Sequence, residues 1–93
     1  MEYILSIDAG TTAFKSSLFD ENGRLLGIST KEYQLLTPTA LAVELPAETF
    51  WNALKSGVSD LMKKTKVNIK DIRVLGLSVQ GETLLLVDKK GNP

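Results

Sequence analysis

Two short β-prone runs, residues 2–8 and 13–20, are joined by a turn holding an acid, a glycine and two threonines in the stretch "ILSIDAGTTAFKSSLFDENG". Nothing else in the chain restricts the fold as much. Runs of this length, rich in Ile, Leu and Phe and bounded by turn residues, read as strands. Asn22-Gly23 after the second run predicts a two-residue hairpin into a third strand over Arg24 to Tyr33. In that hairpin Glu21 faces Arg24, a cross-strand charge pair that favours the register by about 0.2–1 kcal/mol.

Downstream, Gln34 to Leu45 carries Pro38 and no period, which predicts a loop with at most a short extended piece at Val43-Glu44. Pro46 is placed at the first helical position, where its fixed φ and missing N–H are harmless. Phe50, Leu54, Val58 and Leu61 then fall on one stripe with Trp51 and Met62 beside it, and Lys63, Lys64 and Lys66 sit at the C-terminal end of the helix dipole. The stripe, Trp51 and Met62 included, is read as core packed on a sheet. Beyond a connection over Lys66 to Asp71, "IRVLGLSV" (72–79) is a continuous apolar strand, and "TLLLVD" (83–88) is another before the turn "KKGNP". The order β-β-β-α-β-β, with a right-handed helical crossover, defines an α/β layer on a mixed sheet.

Composition narrows the chemistry. With 93 residues and 43% apolar content there is enough for one small core and too little for two. Eleven basic residues balance eleven acidic ones, so no overall field draws the chain to nucleic acid or an anionic membrane. The absence of cysteine and histidine removes disulfides, thiolate nucleophiles, imidazole bases and the usual zinc ligands. Acid–base work falls to carboxylates. The longest apolar runs, "ALAV" and "LLLV", are far below a membrane span, and "MEYILS" lacks the basic start of a secretory signal, so a cytoplasmic setting is expected.

The first turn is then the place to look for chemistry. It is not a P-loop, because Phe14 rather than glycine precedes Lys15 and a strand rather than a helix follows. It lacks the spaced glycines of a dinucleotide fingerprint. A plain hairpin turn uses the same residue types. The functional alternative is a hairpin that faces phosphate: Gly10 lets the backbone approach a ligand, Thr11 and Thr12 offer hydroxyl and N–H donors, and Lys15 adds a cation. Asp8 would repel phosphate directly, so beside such a cradle it makes sense as a carboxylate that holds Mg²⁺ through water or orients the nucleophile. If the first and fourth strands are parallel neighbours, Asp8 and Gln80 to Glu82 emerge at one carboxyl edge of the sheet, where open α/β sheets bind ligands.

"IDAGTTAFKSSLFDENG" resembles the first phosphate motif of the actin, heat-shock chaperone and sugar-kinase superfamily, whose ribonuclease H-like (actin-like ATPase) domains begin β-β-β-α-β. "VELPAETFW" and "VLGLSVQGETLLLVDKKGNP" further resemble the FGGY carbohydrate kinases, so the likeness spans almost the whole chain. It implies ATP-dependent transfer of a γ-phosphoryl group to a hydroxyl of a ketose or polyol, with ATP and Mg²⁺ as cofactors. By the same likeness Asp8 is the catalytic, Mg²⁺-organising carboxylate. Gly10, Thr11, Thr12 and Lys15 lie near the ATP phosphates, and Gln80, Gly81 and Glu82 face the sugar. Two positions depart from the pattern. Gly81 stands where glycerol kinases have an arginine and xylulose kinases a methionine-histidine pair, and Leu45 stands where an aspartate often precedes the helix. The family's chains are several times longer and close two domains on the substrate, so residues 1–93 are expected to be the N-terminal part of the first domain, inactive alone and partnered by the rest of its own chain. A homo-oligomer is left open. Two other classes stay open as well: a non-catalytic nucleotide-binding module of the actin or chaperone type, and an interaction domain that keeps only the fold.

Overall fold

The computed structural model describes residues 1–40, 42–79 and 86–92. Within it, β1 (Tyr3–Ala9) and β2 (Ala13–Asp20) pair antiparallel from Tyr3↔Asp20 to Ala9↔Phe14. β3 (Leu25–Glu32) extends the sheet antiparallel to β2, and β6 (Ile72–Val79) joins the other side of β1 in parallel, giving the order β3-β2-β1-β6. The mixed α/β layer and the parallel pairing of the first strand with the strand after the helix agree with the sequence reading. The further strand expected at 83–88 falls partly on residues 83–85, outside the described residues, and Leu86 to Asp88 belong to no strand.

The β2–β3 connection is tighter bound and one residue longer than expected. Gly23 N–H donates to the Asp20 carbonyl and Asp20 N–H to the Arg24 carbonyl, so the loop is Glu21–Gly23 and Arg24 closes it opposite Asp20, not Glu21. Only Gly23 takes a left-handed φ, +81°, whereas the two-residue turn needs two such residues. Asp20 explains the choice. Its Oδ1 accepts from the N–H groups of Asn22 and Arg24, both at 2.9 Å, which stabilises a right-handed turn before the glycine and leaves a bulge between Leu18 and Phe19.

Residues 34–45, expected to be mostly loop, instead hold a second hairpin of β4 (Leu36–Thr39) and β5 (Ala42–Glu44). The extended piece at Val43-Glu44 is part of β5. Pro38 is tolerated because this two-stranded ribbon has only edges. Helix α1 (Ala47–Thr65) follows, one residue later than expected: Pro46 is its N-cap, with a carbonyl that accepts from Thr49 N–H and no side chain to cap the free donors. Lys66 ends the helix in the left-handed conformation, with its N–H on the Met62 carbonyl, and a single 3-10 turn (Ile69–Asp71) leads into β6.

α1 lies across β2 and β3. Strand alternation sends Leu5, Ile7, Phe14 and Leu18 toward it, where they form the core with Ala53 and Leu61. Ile7, Leu18 and Leu61 are fully buried, each contributing about 1.5–3 kcal/mol. The centre of the buried helix face is Ala53–Gly57–Leu61, with Phe50, Leu54, Val58 and Met62 half-buried beside it. Small residues let the helix sit close: a Cβ on Gly57 would lie 3.2 Å from Ser16 Oγ, and one on Gly27 would lie 2.9 Å from Thr65 Cγ2. Trp51, expected in the core, is 59% exposed, with Lys55 Nζ 5.9 Å from its ring centre. One face of a helix 19 residues long is taken up by these close contacts, and Trp51 points elsewhere. Lys64 Nζ donates to the Ile28 carbonyl and Lys31 pairs with Asp60, tying the helix to β3. The continuous apolar run of β6 is not buried: Val74, Leu75, Leu77 and Val79 are all more than half exposed at the sheet edge.

Candidate functional site

β1 delivers Asp8 near its carboxyl end. In register, Asp8 stands beside Lys15 on β2 and Ser78 on β6, and the alternation that turns Ile7 toward α1 places these three residues on the opposite face. Asp8 and Lys15 are exposed. They belong to neither ion pair of the described residues, Lys31–Asp60 and Glu2–Arg73. A carboxylate and an ammonium thus share one strand pair with their ligand-binding capacity unused.

The turn that follows is closed from within by Gly10 N–H, which donates to the Ala13 carbonyl at 2.9 Å. Glycine suits this point because a Cβ would lie 3.0 Å from that same carbonyl oxygen, a crowded contact with backbone. Thr11 and Thr12 are exposed, and no side-chain hydrogen bond engages either hydroxyl among the described residues. The structure therefore brings together Asp8, Gly10, Thr11, Thr12 and Lys15, the whole first half of the expected site. β1 and β6 end side by side, Ala9 in register with Val79, which meets the expectation that their carboxyl ends share an edge. Gln80, Gly81 and Glu82 lie outside the described residues.

One residue that sequence reasoning passed over also reaches the turn. Tyr33 N–H donates to the Thr12 carbonyl at 2.9 Å and its hydroxyl donates to the Gly10 carbonyl. Its ring packs on Phe14 and Phe50, with centroids 6.1 and 5.5 Å away. Burial pushes the phenol pKa above its ordinary value, so the hydroxyl remains a donor. The register across the sheet sets this reach: Glu32 pairs with Ala13, so the next residue on that strand runs past the start of β2 to the turn.

The donor set fits a phosphate ligand accompanied by a hard cation. Among the described residues no three Asp, Glu, His or Cys side chains gather into a metal cage. Mg²⁺ does not need one, since it commonly binds through one or two carboxylates, water and phosphate oxygens. Asp8, exposed at the strand end and in no ion pair among the described residues, is suited to that role, and the threonine hydroxyls and turn N–H groups are suited to phosphate oxygens.

The mixed sheet with a helix packed on it has the actin-like ATPase fold, and the comparisons with known proteins narrow it further. Residues 3–93 match the N-terminal domain of the FGGY family of carbohydrate kinases, and the chain belongs to that family. It is 37% identical to the glycerol kinase of Halalkalibacterium halodurans over 99% of its own length and 19% of that protein's. Its fold is similar to the crystal structure of ligand-bound xylulose kinase from Lactobacillus acidophilus, with a TM-score of 0.87, 27% identity, and coverage of 99% of this chain and 18% of that one. A gluconate kinase from the same organism is similar at a TM-score of 0.86 and 27% identity, over 98% of this chain and 18% of its own. The chain thus spans about a fifth of the length of the relatives it matches.

Proposed function

We propose that this chain is the N-terminal part of the first domain of an ATP-dependent sugar kinase, which transfers the γ-phosphoryl group to a hydroxyl of a ketose or polyol. The observation that carries the reading is the grouping of exposed Asp8 and Lys15 with the Gly10–Thr12 turn at the sheet edge where β1 and β6 end in register. Family membership supports ATP as the phosphoryl donor.

Each residue has a role that its chemistry suits. The Thr11 and Thr12 hydroxyls and turn N–H groups donate to phosphate oxygens, and Lys15 offsets phosphate charge. Asp8 would be the residue that holds Mg²⁺, in part through water. Mg²⁺, when bound, neutralises charge on the transferring group. Gln80, Gly81 and Glu82, which follow Val79 in sequence, are assigned to the sugar: Glu82 accepts hydroxyl hydrogen bonds, and glycine at 81 leaves room for a substrate larger than glycerol. No helix among the described residues is long and apolar enough to cross a membrane, and a cytoplasmic setting, where ATP is available, goes with this reading. The remaining parts of the active site belong to the rest of the chain.

The test is ADP release by the complete protein across a panel of ketoses and polyols. Release that requires one of these acceptors is the expected result. Release at the same rate without any acceptor would instead make the protein a nucleotide-binding module of the actin or chaperone type.

A further inference from the structure

We propose that Tyr33 is a positioning residue for the phosphate-binding turn, acting through the Gly10 carbonyl to aim the Thr11 N–H at the ligand. The inference rests on the kinase reading above and adds a residue to its ATP subsite.

The argument is one of peptide geometry. A trans peptide is planar, with its C=O and N–H directed oppositely. The Tyr33 hydroxyl donates to the Gly10 carbonyl and thereby holds the plane of the Gly10–Thr11 peptide, so the Thr11 N–H is directed away from Tyr33. Tyr33 N–H does the same to the Thr12–Ala13 peptide through the Thr12 carbonyl, at 2.9 Å. A third bond, from Gly10 N–H to the Ala13 carbonyl, closes the loop between them. The Gly10, Thr12 and Ala13 carbonyls are thus engaged, while the side chains of Thr11 and Thr12 are exposed to a ligand. Without the hydroxyl, the Gly10–Thr11 peptide could rotate, because glycine places no side chain in its way.

Tyr33 is itself held firmly. Its ring meets Phe50 edge-on at 74° and Phe14 at 59°, and Phe14 and Phe50 also touch at 5.8 Å, so the three rings brace one another. The hydroxyl is therefore presented from a rigid base, which is what preorganisation of a ligand-binding turn requires. A phenol, with an ordinary pKa of about 10, is protonated over the physiological range, and burial only raises that value, so the donor is constant.

The experiment is Tyr33→Phe in the complete protein, which keeps the ring, its packing and the backbone N–H bond and removes the hydroxyl alone. Calorimetric titration with MgATP in the absence of sugar, and steady-state kinetics with the sugar that supports turnover, are read on both proteins. Loss of one preorganising hydrogen bond predicts MgATP affinity weaker by about three- to tenfold and a matching rise in the ATP KM, with the sugar KM unmoved. Equal MgATP affinity in the two proteins overturns the proposal. A fall in kcat and a rise in both KM values together with a lower thermal midpoint also overturns it, since that pattern belongs to a purely structural role. If the wild-type protein binds MgATP but phosphorylates no sugar, the kinase reading fails, while the titration still judges Tyr33.

Discussion

The two turns at the ends of β2 use the same residue types for opposite purposes. At Glu21–Gly23 the acid is consumed by the fold: Asp20 is 5% exposed, and its Oδ1 accepts two backbone N–H groups of its own turn. At Gly10–Thr12 the acid, Asp8, is exposed and outside every ion pair among the described residues, and the turn is held by its own backbone and by Tyr33 instead. The glycines differ in the same way. Gly23 is needed for its left-handed φ and has open space around it, whereas Gly10 is favoured because a Cβ there would crowd the Ala13 carbonyl oxygen at 3.0 Å. A carboxylate that caps its own turn and is buried there is out of a ligand's reach. One that stands at a strand end while other groups close the turn is available to a ligand.

The largest effect that this contrast predicts is on Asp8. In the complete protein Asp8→Asn lowers kcat by at least about a hundredfold, in the range seen when one preorganised electrostatic group is removed. Sugar binding and thermal midpoint stay close to wild type, because no structural bond is lost; near-normal turnover would defeat the role assigned to Asp8. Asp20→Ala is the mirror image. It removes two charge-assisted bonds, so urea denaturation is expected to show a loss of about 1–3 kcal/mol while turnover per folded molecule is retained. A smaller loss, about 1–2 kcal/mol, is expected for Gly23→Ala, since an L-residue is strained at φ +81°, and Gly23→Asn should recover part of it.

Asp60 is the intermediate case, an exposed acid that is nonetheless paired. The hydrogen bond and charge of Lys31 hold its pKa below the ordinary carboxylate value, with Lys63 and Lys64 adding to the effect. A depressed folded-state pKa contributes stability above the unfolded value, about 3.9, and that contribution is lost as pH falls through the folded value. The stability difference between wild type and Lys31→Ala should therefore be small at neutral pH and vanish in acid, which denaturant titrations at two pH values would read. A difference that grows in acid would contradict the pairing.

Much of this arrangement was legible in the chain. Short β-prone runs bounded by turn residues located β1 and β2, the Asn-Gly turn located β3, a continuous apolar run located β6, and the helical crossover predicted that β6 returns parallel, beside β1. The departure at the β2–β3 turn arose because Asn-Gly is compatible with more than one loop, and the choice among them rested on the Asp20 side chain. The β4–β5 hairpin was hidden because β4 carries a proline and its four residues are all exposed, so burial imposes no period on it. Trp51 was misplaced because hydropathy ranks large apolar residues for the core, while close helix–sheet contact selected Ala53 and Gly57.

What the sequence determined by itself was the four strands of the main sheet, the helix between the third and the last of them, and an acid followed by a glycine and two threonines at the end of the first strand. These depend on contacts a few residues apart, and local pattern records such contacts. Only the tertiary structure decided which of two strand-end acids remained free, which helix face was narrow enough to meet the sheet, and that Tyr33, 23 residues from Gly10, braces the phosphate turn. Those outcomes depend on bonds across the sheet between residues distant in the chain, and a partner's identity is settled there by register and space rather than by neighbouring letters.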